Sequence, residues 1–382
     1  MLVIEFLLLI TIFFAAPYLI YLFLSTRVDL GVSPAKKNLS HRLSVSIVIP
    51  TFNEESIVAG KLDNIFELDY PRELIEIIFI DSSTDSTRQI IGEYREKFSN
   101  IRVIEESERL GLAVALNEGY AAAHGDVVVK TDCDSFIDNG SVSHAVANFA
   151  DPSVGAVSGR QVVLNESLVE EGYRSLQLRV QMLESYLDST VIFHGPFSAF
   201  RKDLIVPIDS DSLADDSELA VKIRKQGYRS IIDPSIRFFE ASQSRFFKRR
   251  MQKDRRGTGL IRLLLRERNI LFNSDYGRFG RIVFPMNYFM MIVSPILFIM
   301  ILVLSFYCLF TVSFILGVLA SAGLLLFIYL GQTNKLGRLE ALYSFVDSQI
   351  SLVLGGLALF RRGDGKWEVD RELREAYIRD RP

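Results

Sequence analysis

Two long runs of apolar residues constrain the fold of this chain more than any other feature of its sequence. The first run, residues 3–24, contains one charged residue, Glu5, and the second, residues 282–330, contains none. A helix that rises about 1.5 Å per residue needs about 20 apolar residues to cross a hydrocarbon core of roughly 30 Å. The first run therefore predicts one membrane-spanning helix, and the second predicts two such helices with a turn near 306–312.

Basic residues beside the first run predict the orientation of the chain. Neither Lys nor Arg precedes this run, whereas four basic residues follow it within the segment 27–42. The positive-inside rule places the chain after the first run in the cytoplasm. We therefore expect a multi-pass protein of the cell membrane with a cytoplasmic central domain. A cleaved signal peptide is the alternative for the first run, but no basic segment precedes it and no clear small-residue cleavage site follows it.

A third C-terminal segment, residues 339–360, allows two interpretations. It is long enough to span a bilayer, but it contains Glu340, Asp347 and Gln349. If it spanned, the tail 361–382, which carries seven Lys or Arg residues, would lie outside the cell, against the positive-inside rule. An interfacial or re-entrant helix is therefore favoured, and a third transmembrane span is the alternative.

The region between the two apolar runs has the pattern of an α/β domain. Short β-branched segments typical of buried strands occur at 44–50, 75–81 and 126–132. The intervening stretches have helical spacing, and Asn53 and Thr84 are expected to cap two of the helices. Strands that alternate with helices predict a Rossmann-like, mostly parallel sheet covered on both faces.

Six segments follow from these patterns. The net charge of −3 and the pI of about 5.9 give none of them a basic footprint for nucleic acid. The segments are an N-terminal transmembrane helix (1–26), a linker (27–43), a cytoplasmic α/β domain (44–270), a transmembrane hairpin (271–338), the third hydrophobic segment (339–360) and a basic juxtamembrane tail (361–382).

Carboxylates stand where ligands bind in an open parallel sheet, beyond the carboxyl ends of the strands. Asp81 follows one expected strand, and Asp132 and Asp134 follow another. The one-residue spacing of the latter pair points both side chains the same way. Carboxylate oxygens suit Mg²⁺ or Mn²⁺, which retain waters and positions for substrate phosphates. The pair therefore predicts a metal site, with a loop cap or a solvated turn as the alternative.

Two further groups of residues are suited to chemistry at a sugar or a phosphate. Asp216, at the start of an expected helix, is a candidate general base for a hydroxyl proton. Helix capping is the alternative for Asp216 and for its neighbour Asp215. Arg255 or Arg256 is suited to bind a pyrophosphate, whereas a solvated face against anionic lipid headgroups is the alternative for the basic run as a whole.

These motifs, in this order, resemble the family 2 glycosyltransferases of GT-A fold, especially the membrane-integrated branch of cellulose, chitin, hyaluronan and poly-N-acetylglucosamine synthases. The resemblance runs from about residue 44 to 262. VSIVIPTFNEE (45–55) is similar to the first strand and its P-x-x-N-E turn, which implies that Pro50, Thr51 and Glu54 surround the nucleotide. FIDSSTDST (79–87) implies that Asp81 contacts the nucleoside.

The middle motifs of the resemblance concern the diphosphate and the metal. KTDCDS (130–135) resembles the D-x-D motif, which implies a diphosphate and metal role for Asp132 and a metal role for Asp134. RLGLAVALNEG (109–119) resembles N-R-G-K-A-G-A-L-N-x-G, with Leu112 where many members have a lysine.

The last motifs of the resemblance concern the acceptor and the closure of the donor site. HGPFSAFRKDL (194–204) implies that Gly195 lines the acceptor site, and ADDSELAVKIRKQGY (214–228) implies that Asp216 is the base and Asp215 an acceptor-site residue. QKDRR resembles Q-x-x-R-W, so Gln252 and Arg255 are expected at the donor, and Arg256 stands in the place of the tryptophan.

The resemblance implies a membrane-embedded inverting hexosyltransferase that depends on Mg²⁺ or Mn²⁺. Its donor would be a nucleotide-diphosphate sugar, with UDP preferred over GDP, and its acceptor a lipid-linked sugar or a polysaccharide. Processive synthesis and single addition to a lipid carrier are equally compatible with the motifs. A polyprenyl-phosphate sugar synthase is the alternative enzyme, and a non-catalytic membrane transport or scaffold protein is the alternative of another class.

Overall fold

The computed structural model describes residues 2–164, 168–241, 246–333, 335–359 and 371–379. The positions 361–370 and 380–382 of the expected basic tail lie outside the described residues.

Eight strands in the described part of the chain form one mixed sheet with the order β3-β2-β1-β4-β7-β6-β8-β5. The neighbours β1–β2, β2–β3, β1–β4 and β6–β8 are parallel, and β4–β7, β6–β7 and β5–β8 are antiparallel. The predicted GT-A-type α/β class is confirmed, and four of the seven neighbouring strand pairs are parallel. The strands are β1 (Val45–Thr51), β2 (Ile75–Asp81), β3 (Ile101–Glu105), β4 (Val127–Lys130), β5 (Ser135–Ile137), β6 (Val154–Val163), β7 (Ser198–Arg201) and β8 (Arg229–Glu240).

Helices cover the sheet and extend beyond it. Within the described residues they are α1 (Leu2–Ser25), α2 (Val58–Phe66), α3 (Thr87–Lys97), α4 (Leu112–Ala122), α5 (Ser141–Asn148), α6 (Leu168–Leu187), α7 (Asp215–Lys225), α8 (Phe246–Arg266), α9 (Phe284–Tyr288), α10 (Ser294–Val312), α11 (Phe314–Gln332), α12 (Glu340–Ala358) and α13 (Arg371–Arg379). Two π-helical stretches, Phe279–Val283 and Phe289–Val293, make α9 and α10 parts of one continuous stretch, Phe279–Val312.

The central strands are buried on both faces, which explains their continuous β-branched sequences. On one face Ile47 of β1 packs in a cluster with Leu62 of α2 and Ile91 of α3. On the other face Val48 of β1 packs in a cluster with residues of α4 and α7, such as Leu116. Because successive side chains of a strand point to opposite faces, one apolar strand supplies both layers of the core.

Two of the helix starts differ from those expected from the sequence. The N-cap of α2 is Ile57, four residues after Asn53, and that of α3 is Ser86, two residues after Thr84. Asn53 instead has a positive φ of 55°, and its side chain accepts a hydrogen bond from the Thr84 backbone N–H at 2.8 Å. This hydrogen bond joins the turn after β1 to the loop after β2. Asparagine suits the position because it adopts the left-handed conformation more readily than most residues.

Four helices of the described chain are long and apolar enough to cross a membrane by length and composition. They are Leu2–Ser25, Phe279–Val312, Phe314–Gln332 and Gly337–Ala358. Three of them meet at a buried polar triad in which Tyr18 and Ser294 are 2.7 Å apart and Gln349 hydrogen-bonds to both at 3.2 Å. A closed set of hydrogen bonds lets these polar groups be buried between apolar helices.

An ion pair joins the α/β domain to the start of the apolar stretch 279–312. Arg224 of α7 donates from Nε and Nη2 to both carboxylate oxygens of Asp188, at 2.6 and 3.0 Å, and from Nη2 to the carbonyl of Tyr276 at 2.9 Å. The backbone N–H of Phe279 donates to the same carboxylate. A two-pronged guanidinium–carboxylate contact fixes the relative orientation of the two segments.

We expect Arg224→Ala to lower the free energy of unfolding by about 3 kcal/mol, because Asp188 keeps its charge in a largely buried position without its partner. Thermal unfolding of the protein in lipid nanodiscs measures the loss. The control is Lys225→Ala, whose side chain is more exposed and pairs with Glu267. An equal loss in both variants would contradict the role given to Arg224.

Candidate functional site

The ends of β1 and β2 form the part of the sheet edge expected to meet a nucleoside. Thr51 and Asp81 are paired in register, and the Thr51 hydroxyl donates to Asp81 Oδ1 at 2.8 Å. The Ser83 hydroxyl donates to the same oxygen, and Arg88 Nε to Oδ2 at 3.2 Å. The pairing of β1 with β4 stops before Pro50, which has no N–H to donate. The end of β1 is thus unpaired on its β4 side, while Asp81 of β2 lies between β1 and β3.

Glu54 lies in the turn that follows β1. Its backbone N–H donates to the Thr87 hydroxyl at 2.8 Å, so the turn is tied to the start of α3. The Glu54 side chain is 3% exposed. Burial raises its pKa to about 7, although the guanidinium of Arg374 opposes this shift.

The D-x-D carboxylates lie directly after β4 and are held from below by a buried lysine. Lys61 of α2 donates from Nζ to the Thr131 hydroxyl at 2.8 Å and to the Ser135 carbonyl at 2.7 Å. These residues flank Asp132 and Asp134 on both sides. The lysine therefore fixes the backbone that carries the two carboxylates.

Lys130, the last residue of β4, brings three of the predicted site residues together. Its Nζ lies 2.8 Å from Asp132 Oδ1, 3.4 Å from Asp216 Oδ1 and 3.8 Å from Asp215 Oδ2. The lysine is 1% exposed. Burial opposes its charge, but the three carboxylates outweigh that effect and raise the pKa of Lys130 above its ordinary value.

Asp215 and Asp216 lie at the start of α7, where burial and their mutual repulsion oppose the attraction of Lys130. Burial and the neighbouring Asp215 raise the pKa of Asp216 to about 8, against the opposing effect of Lys130. Asp216 Oδ1 and Asp215 Oδ2 are buried and have no hydrogen-bond partner among the described residues. Buried acceptors without donors are rare in folded proteins unless a ligand supplies them.

Gly195 lies at the point where these charged groups converge. A Cβ at this position would be 3.0 Å from Asp132 Oδ2, 3.0 Å from Lys130 Nζ and 3.2 Å from Asp216 Oδ2. Any side chain here would fill the space between the D-x-D motif and α7, which explains why the position suits glycine.

The predicted donor residues of α8 lie near the same carboxylates. Arg255 is exposed and lies within electrostatic range of Asp215 and Asp132. Arg256 Nη2 donates to Glu240 Oε1 at 3.2 Å, and Gln252 is half-buried one turn earlier. The helix therefore brings two cations near the carboxylates of the site.

The donor set fits a divalent cation of the Mg²⁺ or Mn²⁺ kind. The D-x-D pair offers carboxylate oxygens only, and the described residues contain no group of three or more His, Cys, Asp or Glu side chains that would hold a metal alone. Such ions need few protein ligands when substrate phosphates and waters complete the octahedron. The residues present are thus sufficient for a metal that arrives with a diphosphate.

Three charged residues of the site have no distinct signal in the sequence. Lys130 lies in an apolar strand and Lys61 in an apolar helix. A single charged residue in such an element does not by itself indicate a functional site. Arg374 lies in the basic C-terminal segment, yet it donates to Asp134 Oδ2 at 2.5 Å and to Glu54 Oε2 at 2.7 Å. Arg374 and Glu54 are 320 residues apart in the sequence, so no local sequence pattern indicates that they meet.

Comparisons with known proteins agree with this arrangement. The sequence matches the family described as Glycosyl transferase family 2 over residues 46–206 and that described as Glycosyl transferase family group 2 over residues 127–330. The probable glycosyltransferase YdaM of Bacillus subtilis is 28% identical over 227 residues, or 54% of this chain and 51% of the relative. The poly-beta-1,6-N-acetyl-D-glucosamine synthase of Staphylococcus aureus is 27% identical over 206 residues, or 52% and 50%. The chain spans about half the length of these curated relatives.

A solved structure resembles nearly the whole chain. It is the mannosyltransferase PcManGT from Pyrobaculum calidifontis in complex with GDP-Man and Mn²⁺. The superposition has a TM-score of 0.78 and 26% sequence identity, and it covers 94% of this chain and 100% of the other. The similarity therefore includes the apolar helices as well as the α/β domain.

We expect Lys130→Met to destabilise the fold by about 3 kcal/mol or more near neutral pH, because Asp132 and the buried pair Asp215 and Asp216 lose their shared countercharge. Without the lysine the pKa values of Asp132 and Asp216 should rise, because Lys130 lowers both. A raised acid pKa favours the folded state as pH falls, so the deficit should be smaller at about pH 5 than at about pH 8. Thermal unfolding at both pH values measures this. A deficit that does not change with pH would contradict the electrostatic explanation.

Proposed function

This chain belongs to the family 2 glycosyltransferases, and we propose that it is a metal-dependent, inverting member that works at the cytoplasmic face of a membrane. The observation that carries the proposal is the convergence of the D-x-D motif, Lys130 and Asp216 around Gly195. The proposed metal ligand Asp132, a buried ammonium group and a buried carboxylate meet there. These are the parts that transfer of a sugar from a nucleotide-diphosphate donor requires.

The donor would lie along the carboxyl ends of β1, β2 and β4. Pro50, Thr51 and Glu54 are proposed to surround the nucleoside, and Asp81 to contact it from the end of β2. The hydrogen bonds that Asp81 accepts from neighbouring hydroxyls support this, because they hold a carboxylate in one orientation. Oriented acceptors at a strand edge are suited to the donor groups of a base or ribose.

Asp132 and Asp134 are proposed to hold the divalent ion together with the donor diphosphate. When bound, the ion would neutralise negative charge on the leaving diphosphate. The Mn²⁺ in the complex of the Pyrobaculum mannosyltransferase supports this choice. Gln252, Arg255 and Arg256 of α8 would close the donor from the other side, where the two guanidinium charges favour a diphosphate.

Asp216 is proposed as the general base. A proton passes from the acceptor hydroxyl to the Asp216 carboxylate while the hydroxyl oxygen bonds to the anomeric carbon. The bond between that carbon and the diphosphate oxygen breaks on the opposite face, so the configuration inverts. The raised pKa of Asp216 suits this role, because a base works best with a pKa near the working pH. Gly195 and Asp215 would line the acceptor side.

The apolar helices are proposed to embed the protein in a membrane with the α/β domain in the cytoplasm. Asp347, which made the segment 339–360 ambiguous, pairs with Arg250 and Lys253 of α8 at 2.6 and 3.0 Å. The polar face of α12 therefore packs on α8, and its polarity is used inside the protein. This supports the interfacial placement of α12 along α8, although its length and apolar composition also satisfy a fourth span.

The acceptor is proposed to be a lipid-linked sugar or a growing glycan. The Staphylococcus relative is a polymer synthase, whereas the Pyrobaculum relative that matches the full chain is a mannosyltransferase crystallised with GDP-Man. We therefore propose either a UDP-linked or a GDP-linked sugar as the donor. The sequence predicts a preference for UDP. Transfer to a polyprenyl phosphate itself is the second candidate, since a membrane-bound acceptor of this kind fits the apolar helices.

We expect Asp216→Asn to lower turnover by about 100-fold to 10,000-fold, the range that a positioned general base contributes, and to leave donor affinity unchanged. Release of nucleotide from UDP- and GDP-sugars by the protein in lipid measures turnover, and calorimetry measures donor binding. The control is Asp203→Asn, an exposed carboxylate of the same domain. Unchanged turnover would refute the assignment of the base, and product length separates polymer synthesis from a single addition.

The pH profile offers an independent check. A base acts when it is deprotonated, so kcat/KM should rise with pH through the pKa of Asp216, which is about 8. Asp215 is one cause of that raised pKa, and Asp215→Asn removes its charge. The acid limb of the profile should therefore shift to lower pH in this variant, whatever its maximal rate. An unshifted limb would show that another group controls it.

A further inference from the structure

The C-terminal helix α13 places an arginine in the donor side of the site. Arg374 donates from Nε to Glu54 Oε2 at 2.7 Å and from Nη2 to Glu54 Oε1, so it grips both carboxylate oxygens. Its third nitrogen, Nη1, donates to Asp134 Oδ2 at 2.5 Å. The guanidinium thus bridges the turn after β1 and the D-x-D motif.

A second contact seats the helix on the domain. The ring of Tyr377 stacks on Phe136 of β5 with a centroid distance of 3.9 Å and an interplanar angle of 8°, and Tyr377 is 2% exposed. Gly60 of α2 lies beside the same ring, since a Cβ there would be in ordinary van der Waals contact with Tyr377 at 3.6 Å. The opposite face of α13, which includes Glu375 and Arg379, is exposed. The helix is therefore docked by one face, with Arg374 on that face.

The position of Arg374 has a consequence for ligand binding. Asp134 is a proposed metal ligand, and one of its two oxygens is occupied by a permanently charged group. Glu54, proposed to face the nucleoside, is buried beneath the same guanidinium. A cation and a nucleotide must therefore share these carboxylates with Arg374 or displace it. Two positive charges at one carboxylate oppose each other strongly where water is excluded.

We propose that Arg374 is a residue of the donor and metal site, where it holds Asp134 in place of the divalent cation until the cation and the nucleotide bind. On binding, the guanidinium leaves Asp134 and α13 withdraws from Glu54. This inference rests on the proposed function, because it takes Asp132 and Asp134 as the metal ligands. It makes the C-terminal helix a competitor of the metal within the same chain.

Direct binding of Mn²⁺ to the full chain in lipid nanodiscs, followed by electron paramagnetic resonance without any donor, tests the competition. We expect Arg374→Gln to bind Mn²⁺ about tenfold more tightly, a change of the size that groups beside metal ligands produce. Tyr377→Ala, which weakens the docking of α13 without removing a charge, should also increase the affinity for Mn²⁺. Arg379→Gln removes an equal charge from the exposed face of α13 and should behave like the parent protein.

Hydrogen exchange provides a readout of the helix itself. Addition of Mn²⁺ and GDP or UDP should speed exchange of the backbone amides of residues 371–379, because the docked helix is released. Slower exchange there would overturn the proposal. Weaker Mn²⁺ binding by Arg374→Gln would also overturn it, since the arginine would then orient Asp134 for the metal.

The remaining outcomes separate this inference from the proposed function. If the parent protein binds Mn²⁺, Asp132→Asn abolishes that binding, and Arg374→Gln changes nothing, the metal site stands and the competition is refuted. If neither the parent nor Arg374→Gln binds Mn²⁺, either alone or with UDP or GDP present, both the metal site and the competition are refuted.

Discussion

The whole site depends on one buried ammonium group. Lys130 ends β4 inside the domain, where its charge is tolerated because Asp132, Asp215 and Asp216 surround it. Each of these carboxylates in turn is tolerated because the lysine is there. Removal of the lysine alone, or of the carboxylates alone, would leave buried charge without a partner, which is more destabilising than the absence of the whole cluster. The cluster therefore fixes the distance between the D-x-D motif and α7.

The same principle links the site to the apolar helices. α8 carries the proposed donor residues on one side, and on the other its Arg250 pairs with Asp347 of α12. About two turns further along α8, the hydroxyl of Thr258 approaches the carbonyl of Gly355 at 3.3 Å. The ion pair and the close helix contact thus fix the position of α8 relative to α12. The position of α12 is therefore linked through α8 to that of the proposed donor residues.

The donor side depends on the far end of the chain in a comparable way. Arg374 reaches the turn after β1 because Tyr377 stacks on β5, immediately after the D-x-D motif. The docked helix balances Glu54 and Asp134 as Lys130 balances the other carboxylates. The site is therefore lined by cations of its own chain on both sides, with Lys130 at Asp132 and Arg374 at Asp134.

The sequence by itself determined the elements and the chemistry. Apolar runs of about 20 residues gave the long helices, and β-branched segments that end in carboxylates gave the strands and placed Asp81, Asp132 and Asp134 at one edge. The order of these motifs identified the family. Tertiary structure alone decided which cation meets which carboxylate. Lys130 meets Asp216, and Arg374 meets Glu54, across long stretches of chain, and no periodicity records a contact that exists only after the sheet and its helices have packed.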